Sequence, residues 1–336
     1  MNSKNGDSRV RVAVIGLGKM GLLHASLLSA MPEARLCAVC DKSKLILRIA
    51  RRIFRDVQVV DDIQKLADSG IDAAYVTTPI PSHYPIAKML YSQKIAGNIF
   101  VEKTLATSYD DAKELCSLAK GFGGANMVGY MKRFSVTFGK AKDLLDNQVL
   151  GEVNSFEAYA YSSDFSDVEQ GSQIGGARGG VLEDLGSHVV DVALWFFGDL
   201  QIGSAKLESV ISAGSEDMAS FNVKAPGGVE GHFDMSWCKK DYRMPEFGLV
   251  IHGSNGVINV DDDELQLEIS KGQAGKWYRH DLGDNVRFLL GGPEYFREDE
   301  CFIKSVLSKT NAEPSFLTAS KVDYVIEQVR RNAGGK

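Results

Sequence analysis

The chain has 336 residues, 44% of them hydrophobic and 24% charged, and carries a formal net charge of −6 at pH 7. That length suits two ordinary globular domains, and the acidic balance excludes the basic footprint of a nucleic-acid-binding module. No run approaches the roughly 18 apolar residues of a membrane-spanning helix, so neither nucleic acid nor a membrane is expected as a partner.

The polar lead Met1–Ser8 lacks the apolar segment of a signal peptide and reads as a disordered lead-in. From there to residue 128, short β-rich runs alternate with helical patterns. Strands are expected at Val10–Ile15, Leu36–Cys40, Gln58–Val60, Ala73–Thr77, Ile99–Val101 and Asn126–Val128. Helices are expected near Gly18–Ala30, Lys44–Arg55, Ile63–Ala67, Ser82–Gln93 and Ser108–Lys120, the last opened by Ser108 and Asp111 in a capping-box-like start. This alternation implies βαβ crossovers and a doubly wound parallel sheet of the Rossmann kind. The pattern changes after Tyr130. A helix (Val136–Asn147), an alternating strand (Val153–Tyr161), a glycine-rich stretch (Gly171–Gly180) and a helix near Gly186–Phe197 follow. Alternating strands fill much of Gly203–His280, including a hairpin signal at Ser254-Asn255-Gly256, and an amphipathic helix closes the chain near Ala319–Arg330. The expected organisation is therefore a dinucleotide-binding domain over residues 1–128 and an α+β domain over 129–336 with an open, largely antiparallel sheet.

Five cysteines, an odd number without framework spacing, fit a reducing compartment, and the cytoplasm is the expected location. Cys37 and Cys40 form a C-x-x-C, but they lie inside a buried strand rather than at an exposed helix start, so the pair reads as structural.

The chemistry begins at Gly16-Leu17-Gly18-Lys19-Met20-Gly21. A lone glycine fingerprint is weak evidence in a chain with 34 glycines. Here it follows a buried strand and opens a helix, so Gly18 permits backbone approach to a pyrophosphate and Gly21 permits the helix to pack on the sheet. Asp41 ends the second strand about 20 residues later, where an acid binds a ribose 2′-hydroxyl. Asp41 favours NAD over NADP, while Lys42 and Lys44 could neutralise a 2′-phosphate or belong to the basic face of the following helix. Thr77-Thr78-Pro79 with His83, and Glu102-Lys103-Thr104, follow sheet strands whose carboxyl ends open on the ligand crevice, with Lys103 a cation there. If Gly179–Asp191 is helical, Asp184, His188 and Asp191 share one face. That group could bind a metal, relay a proton to a substrate hydroxyl, or hold a structural histidine.

Taken together, the glycine loop, Thr78-Pro79 with His83, Glu102-Lys103, Gly129-Tyr130 with Arg133-Phe134, and Gly180 through Asp191 resemble, in order, the Gfo/Idh/MocA family, which includes glucose–fructose oxidoreductase and inositol dehydrogenase. The likeness extends to Gly253–Gly256 and Tyr295–Ile303 and so covers nearly the whole chain. It implies a Rossmann domain followed by an open mixed sheet, and hydride transfer between a nicotinamide and a sugar, cyclitol or nucleotide-sugar carbinol. Lys103 would hydrogen-bond the reacting hydroxyl, His188 would accept its proton and Asp184 would orient substrate or relay that proton, with Arg133 a further substrate contact or an interdomain ion pair. Thr78, Pro79, His83 and Glu102 would line the cofactor site. The lysine cation removes the need for a metal. Gly171–Gly180 and Asp281–Pro293 could cover the substrate or be plain surface loops. The family also implies a homodimer or homotetramer. Thr104 departs from it, since proline usually follows the lysine; a cis bond in that place would lack proline's assistance, so Lys103 is aimed either by a trans bond or by an unaided cis one. Two other readings remain, an NAD-dependent glycosidase of the same family and a non-enzymatic NAD-binding sensor.

Overall fold

Six short apolar runs pair as a parallel sheet: β1 (Val10–Ile15), β2 (Ala34–Cys40), β3 (Gln58–Val60), β4 (Ala73–Val76), β5 (Asn98–Glu102) and β6 (Asn126–Gly129). Their order, β3-β2-β1-β4-β5-β6, reverses direction between β1 and β4, and this is the switch point at which doubly wound folds bind ligands. The computed structural model describes residues 8–164, 179–211, 214–242, 244–270, 272, 274–285 and 291–334. The expected loop covers fall partly outside them, at residues 171–178 and 286–290.

The chain divides into two compact units. The first comprises Met1–Gly129 with Val286–Ser320, the second Tyr130–Asn285 with Lys321–Lys336. The first unit is thus discontinuous in sequence, a late segment joining it after most of the second unit.

In that unit β1 and β4 are almost wholly buried because helices cover both faces of a parallel sheet. The helices are α1 (Lys19–Ala30), α2 (Lys44–Ile53), α3 (His83–Ser92), α4 (Tyr109–Phe122) and, from the returning segment, α7 (Pro293–Ser308). Ser108 caps α4 by accepting the Asp111 N–H at 3.2 Å. Residues Ile63–Ser69, where an α-helix is expected, form the tighter 3₁₀ type instead, started by Asp62 accepting the Gln64 N–H. Tyr75 of β4 stacks on Phe100 of β5 at 4.6 Å, and Phe302 of α7 meets both rings edge-on. Each such buried aromatic contributes about 1.5–3 kcal/mol by leaving water.

The second unit is built on eight strands in the order β14-β13-β12-β11-β7-β10-β9-β8. They are β7 (Val153–Tyr161), β8 (Gln201–Glu208), β9 (Met218–Lys224), β10 (Glu230–Ser236), β11 (Glu246–Gly253), β12 (Gly256–Asp261), β13 (Glu264–Ile269) and β14 (Gly275–Tyr278). All neighbours are antiparallel except β7 and β10. Ser254 and Asn255 form the two-residue turn between β11 and β12. Alternation gives the sheet two faces. Phe156, Ala158 and Ala160 of β7 point inward, and Phe156 stacks at 4.2 Å on Phe197 of α6 (Ser187–Phe197). The rings of Tyr159 and Tyr161 lie on the other face and bond Glu246 and Asp234. Helices α5 (Val136–Asp146) and α8 (Phe316–Gly334) are the remaining α-helices among the described residues.

Candidate functional site

The glycine loop follows β1 directly. Gly21 sits in the first turn of α1, where a Cβ would overlap the carbonyl oxygen of Gly16 and come within 2.8 Å of Thr77 Oγ1. Glycine is thus demanded here by the fold itself. Gly18, the first residue before α1, is different: a Cβ there would meet no protein atom within 4 Å, and no side chain caps the helix. The helix start therefore presents backbone N–H groups, with their partial positive charge, toward open space, which suits a pyrophosphate.

Thr77 Oγ1 donates to the Gly16 carbonyl at 2.7 Å and so ties the end of β4 to the loop. Asp41 belongs to the same cluster. Its Oδ2 accepts the Leu17 N–H and its Oδ1 the Ser43 N–H, both at 2.7 Å, so the carboxylate is held at the loop's edge. Lys42 and Lys44 are exposed, as solvated residues at the start of a basic helix would be. The donors, the open cradle at Gly18 and the fixed acid fit a dinucleotide.

Two buried histidines hold the Glu102–Thr104 segment, which continues from β5. His83 is fully buried, with Nδ1 2.7 Å from the Thr104 carbonyl and Nε2 2.6 Å from the Thr78 carbonyl. Burial lowers its pKa, while the two carbonyls that face its ring nitrogens pull the other way. Both ring nitrogens thus face protein backbone, and His83 ties the Thr78 turn to the Thr104 backbone. Glu102 is also buried, with Oε2 accepting the Lys103 N–H at 3.1 Å and Oε1 2.9 Å from His24 Nε2. The Lys103–Thr104 peptide is cis, which answers the alternative that Thr104 left open. Lys103 is half-buried.

Sequence reasoning did not single out His24 or Asp299. His24 lies in α1 with no exposed surface, its Nδ1 2.8 Å from Asp299 Oδ1. Burial opposes its charge, but Asp299 and Glu102 outweigh that and raise its pKa well above 6.5. Glu102 responds in the opposite sense: burial would raise it, yet the bond and charge of His24, with Lys103, hold it below 4.5. The available signal was a histidine three residues past Gly21 on the apolar side of a helix.

In the second unit, Asp184 lies in a π-helical turn, Leu182–Gly186, that leads into α6. The wider turn adds a residue to the helical repeat, so the α-helical spacing that would align Asp184 with His188 and Asp191 applies only from Ser187 onward. Asp184 is half-buried and His188 is 6% exposed. The His188 ring meets Phe247 edge-on at 5.2 Å and Tyr130 at 6.3 Å. Asp191 is fully buried and takes a two-pronged bond from Arg133, Nε to Oδ2 at 2.8 Å and Nη2 to Oδ1 at 2.7 Å. Arg133 thus forms an ion pair within the second unit. The neighbouring Lys132 is buried, bonds Asp262 and lies 4.3 Å above the Phe247 ring. Among the described residues, no group of three or more His, Cys, Asp or Glu could hold a metal ion, and no helix is long and apolar enough to cross a membrane.

Comparison with known proteins adds the following. Residues 10–130 match the family model described as an oxidoreductase family with an NAD-binding Rossmann fold, and residues 138–259 match the C-terminal domain model of the same group. The scyllo-inositol 2-dehydrogenase (NAD(+)) of Bacillus subtilis (strain 168) is 29% identical over 194 residues, which span 57% of this chain and 55% of that protein. The inositol 2-dehydrogenase of Rhizobium meliloti (strain 1021) is 25% identical over 320 residues, 91% of each chain. A solved levoglucosan dehydrogenase in complex with NADH has the same fold, with a TM-score of 0.88, 20% identity and 97% of both chains covered.

Proposed function

The chain belongs to the Gfo/Idh/MocA family of oxidoreductases, and on that premise we propose that it is an NAD-dependent dehydrogenase acting on a secondary hydroxyl of a sugar, cyclitol or nucleotide-sugar. One observation carries the reading. The loop Gly16–Gly21, Asp41, the Thr77–Pro79 turn and the Glu102–Lys103 segment follow β1, β2, β4 and β5, four neighbouring parallel strands that flank the switch point, at their carboxyl ends. Relatives named as inositol dehydrogenases support the substrate class.

In this reading the backbone N–H groups at the start of α1 hold the pyrophosphate, and Asp41 accepts from the ribose hydroxyls, which favours NAD over NADP. When bound, the nicotinamide supplies the hydride acceptor. Lys103 donates to the reacting hydroxyl oxygen and stabilises the negative charge that builds there. His188 accepts the hydroxyl proton at a ring nitrogen as the C–H electron pair leaves with the hydride, so a carbonyl, a reduced cofactor and one proton result. Asp184 orients the substrate. Arg133, through Asp191, secures the helix that carries His188, and His83 and Glu102 serve the cofactor site by fixing the Thr78 turn and the Lys103 backbone. The protein is proposed to be cytoplasmic and to assemble as a homodimer or homotetramer.

The test is incubation with NAD and a panel of cyclitols, sugars and nucleotide-sugars while reduced nicotinamide is followed. Its accumulation with one class identifies the substrate. Aglycone release without accumulation identifies a glycosidase instead. NAD binding with neither outcome leaves a sensor and overturns the dehydrogenase reading.

A further inference from the structure

The first unit holds a buried charge cluster. His24 of α1 stands between two carboxylates, Asp299 of α7 at 2.8 Å and Glu102 of β5 at 2.9 Å. An ionised carboxylate only accepts a hydrogen bond, so each contact holds a proton between oxygen and ring nitrogen; burial raises the Asp299 pKa and draws the Nδ1 proton toward its carboxyl. The rings of Phe100, Tyr75 and Tyr295 surround the imidazole at 5.2, 5.5 and 6.3 Å and exclude water. Such a cluster is costly to bury, and an apolar trio of similar volume would stabilise the fold as well. Its arrangement is directional. The second oxygen of Glu102 accepts the Lys103 N–H, and Gly129 leaves room for it, since a Cβ there would come within 3.2 Å of that oxygen.

We propose that His24 is a positioning residue for Lys103: anchored by Asp299, it orients the Glu102 carboxylate, which holds the Lys103 backbone amide and thereby aims its side chain. The consequence for catalysis rests on the dehydrogenase reading above; the linkage itself does not. Because α1 also begins at the glycine loop, one helix carries both the dinucleotide cradle and the control of the lysine. A charged contact of this kind fixes geometry at the level that transition-state stabilisation requires.

Three measurements test this. In the unmutated protein, the ring ¹⁵N signals of His24 are those of an imidazolium at about pH 8, above the ordinary histidine range; a neutral ring there overturns the proposal. In His24→Gln the Lys103 amide signal moves and its hydrogen exchange accelerates by about tenfold or more; an unchanged amide overturns it. Should that variant fail to fold, His24→Gln/Asp299→Asn relieves the surplus negative charge and takes its place in this arm. With an active substrate, His24→Gln lowers kcat by about tenfold or more while KM and the NADH dissociation constant stay within about threefold. An unchanged kcat overturns the proposal, as does a lowered kcat with an unchanged amide. If the unmutated protein oxidises nothing in the panel, the dehydrogenase reading fails, and the ring and amide signals alone decide the linkage.

Discussion

The last two glycines of the loop, Gly18 and Gly21, separate what a ligand needs from what the fold needs. At Gly18 the backbone (φ −68°, ψ −166°) is open to alanine, and a methyl group would meet no protein atom within 4 Å. Gly18→Ala is therefore expected to leave the protein as stable as before or to stabilise it by up to about 0.4–1 kcal/mol through a less flexible unfolded chain. The same methyl projects into the space where a pyrophosphate would approach the N–H groups of α1. Losing even one charge-assisted contact there lowers NAD affinity by about tenfold, about 1.4 kcal/mol. Gly21→Ala fails in another way: its methyl would overlap the Gly16 carbonyl and crowd Thr77, so the loop shifts and stability falls by about 1–3 kcal/mol together with affinity. Urea unfolding of the apo protein, paired with fluorescence titration of NADH, reads both quantities. If Gly18→Ala binds NADH as tightly as the parent, the pyrophosphate does not lie on this loop and the cofactor reading fails.

Lys103→Met is expected to lower turnover by at least about 100-fold with NADH binding retained, measured by steady-state kinetics beside the titration; near-normal turnover removes its role. His188→Asn should abolish the rise of oxidation rate with pH that deprotonation of a general base produces, and an unaltered profile in the variant excludes His188 as that base. Stability should also depend on pH through the His24 cluster. His24 has a raised folded pKa, so its contribution is complete below about 6.5 and fades as pH climbs through the raised value; Glu102 is lowered, so its contribution is complete above about 4.5 and fades as pH falls. The titratable groups facing the ring are Asp299, whose carboxyl burial holds above its usual range, Glu102, Tyr75 and Tyr295. Denaturant midpoints of parent and His24→Gln should converge toward alkaline pH, and a gap that widens there contradicts the assignment.

The first sheet was legible because parallel strands buried on both faces are written as unbroken apolar runs, as in Val12–Ile15 and Ala73–Val76. The loop and Asp41 were legible because turn geometry and charge leave little choice of residue there. Helix α7 was not foreseen, although its ends are well marked. Among its buried residues are Glu294, Glu298 and Asp299, so its inner face reads as polar and its hydrophobic period is broken. Asp299 faces inward because His24, 275 positions away, supplies its counter-charge, and a partnership over that separation leaves no local trace. The π turn at Asp184 was hidden for a related reason, since its composition is that of an ordinary helix start. Arg133 was readable as a cation near the candidate site, but its partner was not, because Asp191 sits 58 residues away on an otherwise apolar helix.

The return of residues 286–320 to the first unit has a consequence for the order in which the molecule can be made. A nascent chain emerges from its N-terminus and folds by domains as it appears. Here the parallel sheet is fully synthesised at Gly129, yet Phe302, which closes its aromatic core, and Asp299, which bonds His24 Nδ1, are still unmade. The nucleotide-binding half must therefore wait, unfinished, while the entire second sheet is translated. A fragment cut after the sixth strand is a body with an exposed aromatic seam and a His24 Nδ1 stripped of its carboxylate partner, and such a fragment should need chaperone protection or the missing helix supplied in trans.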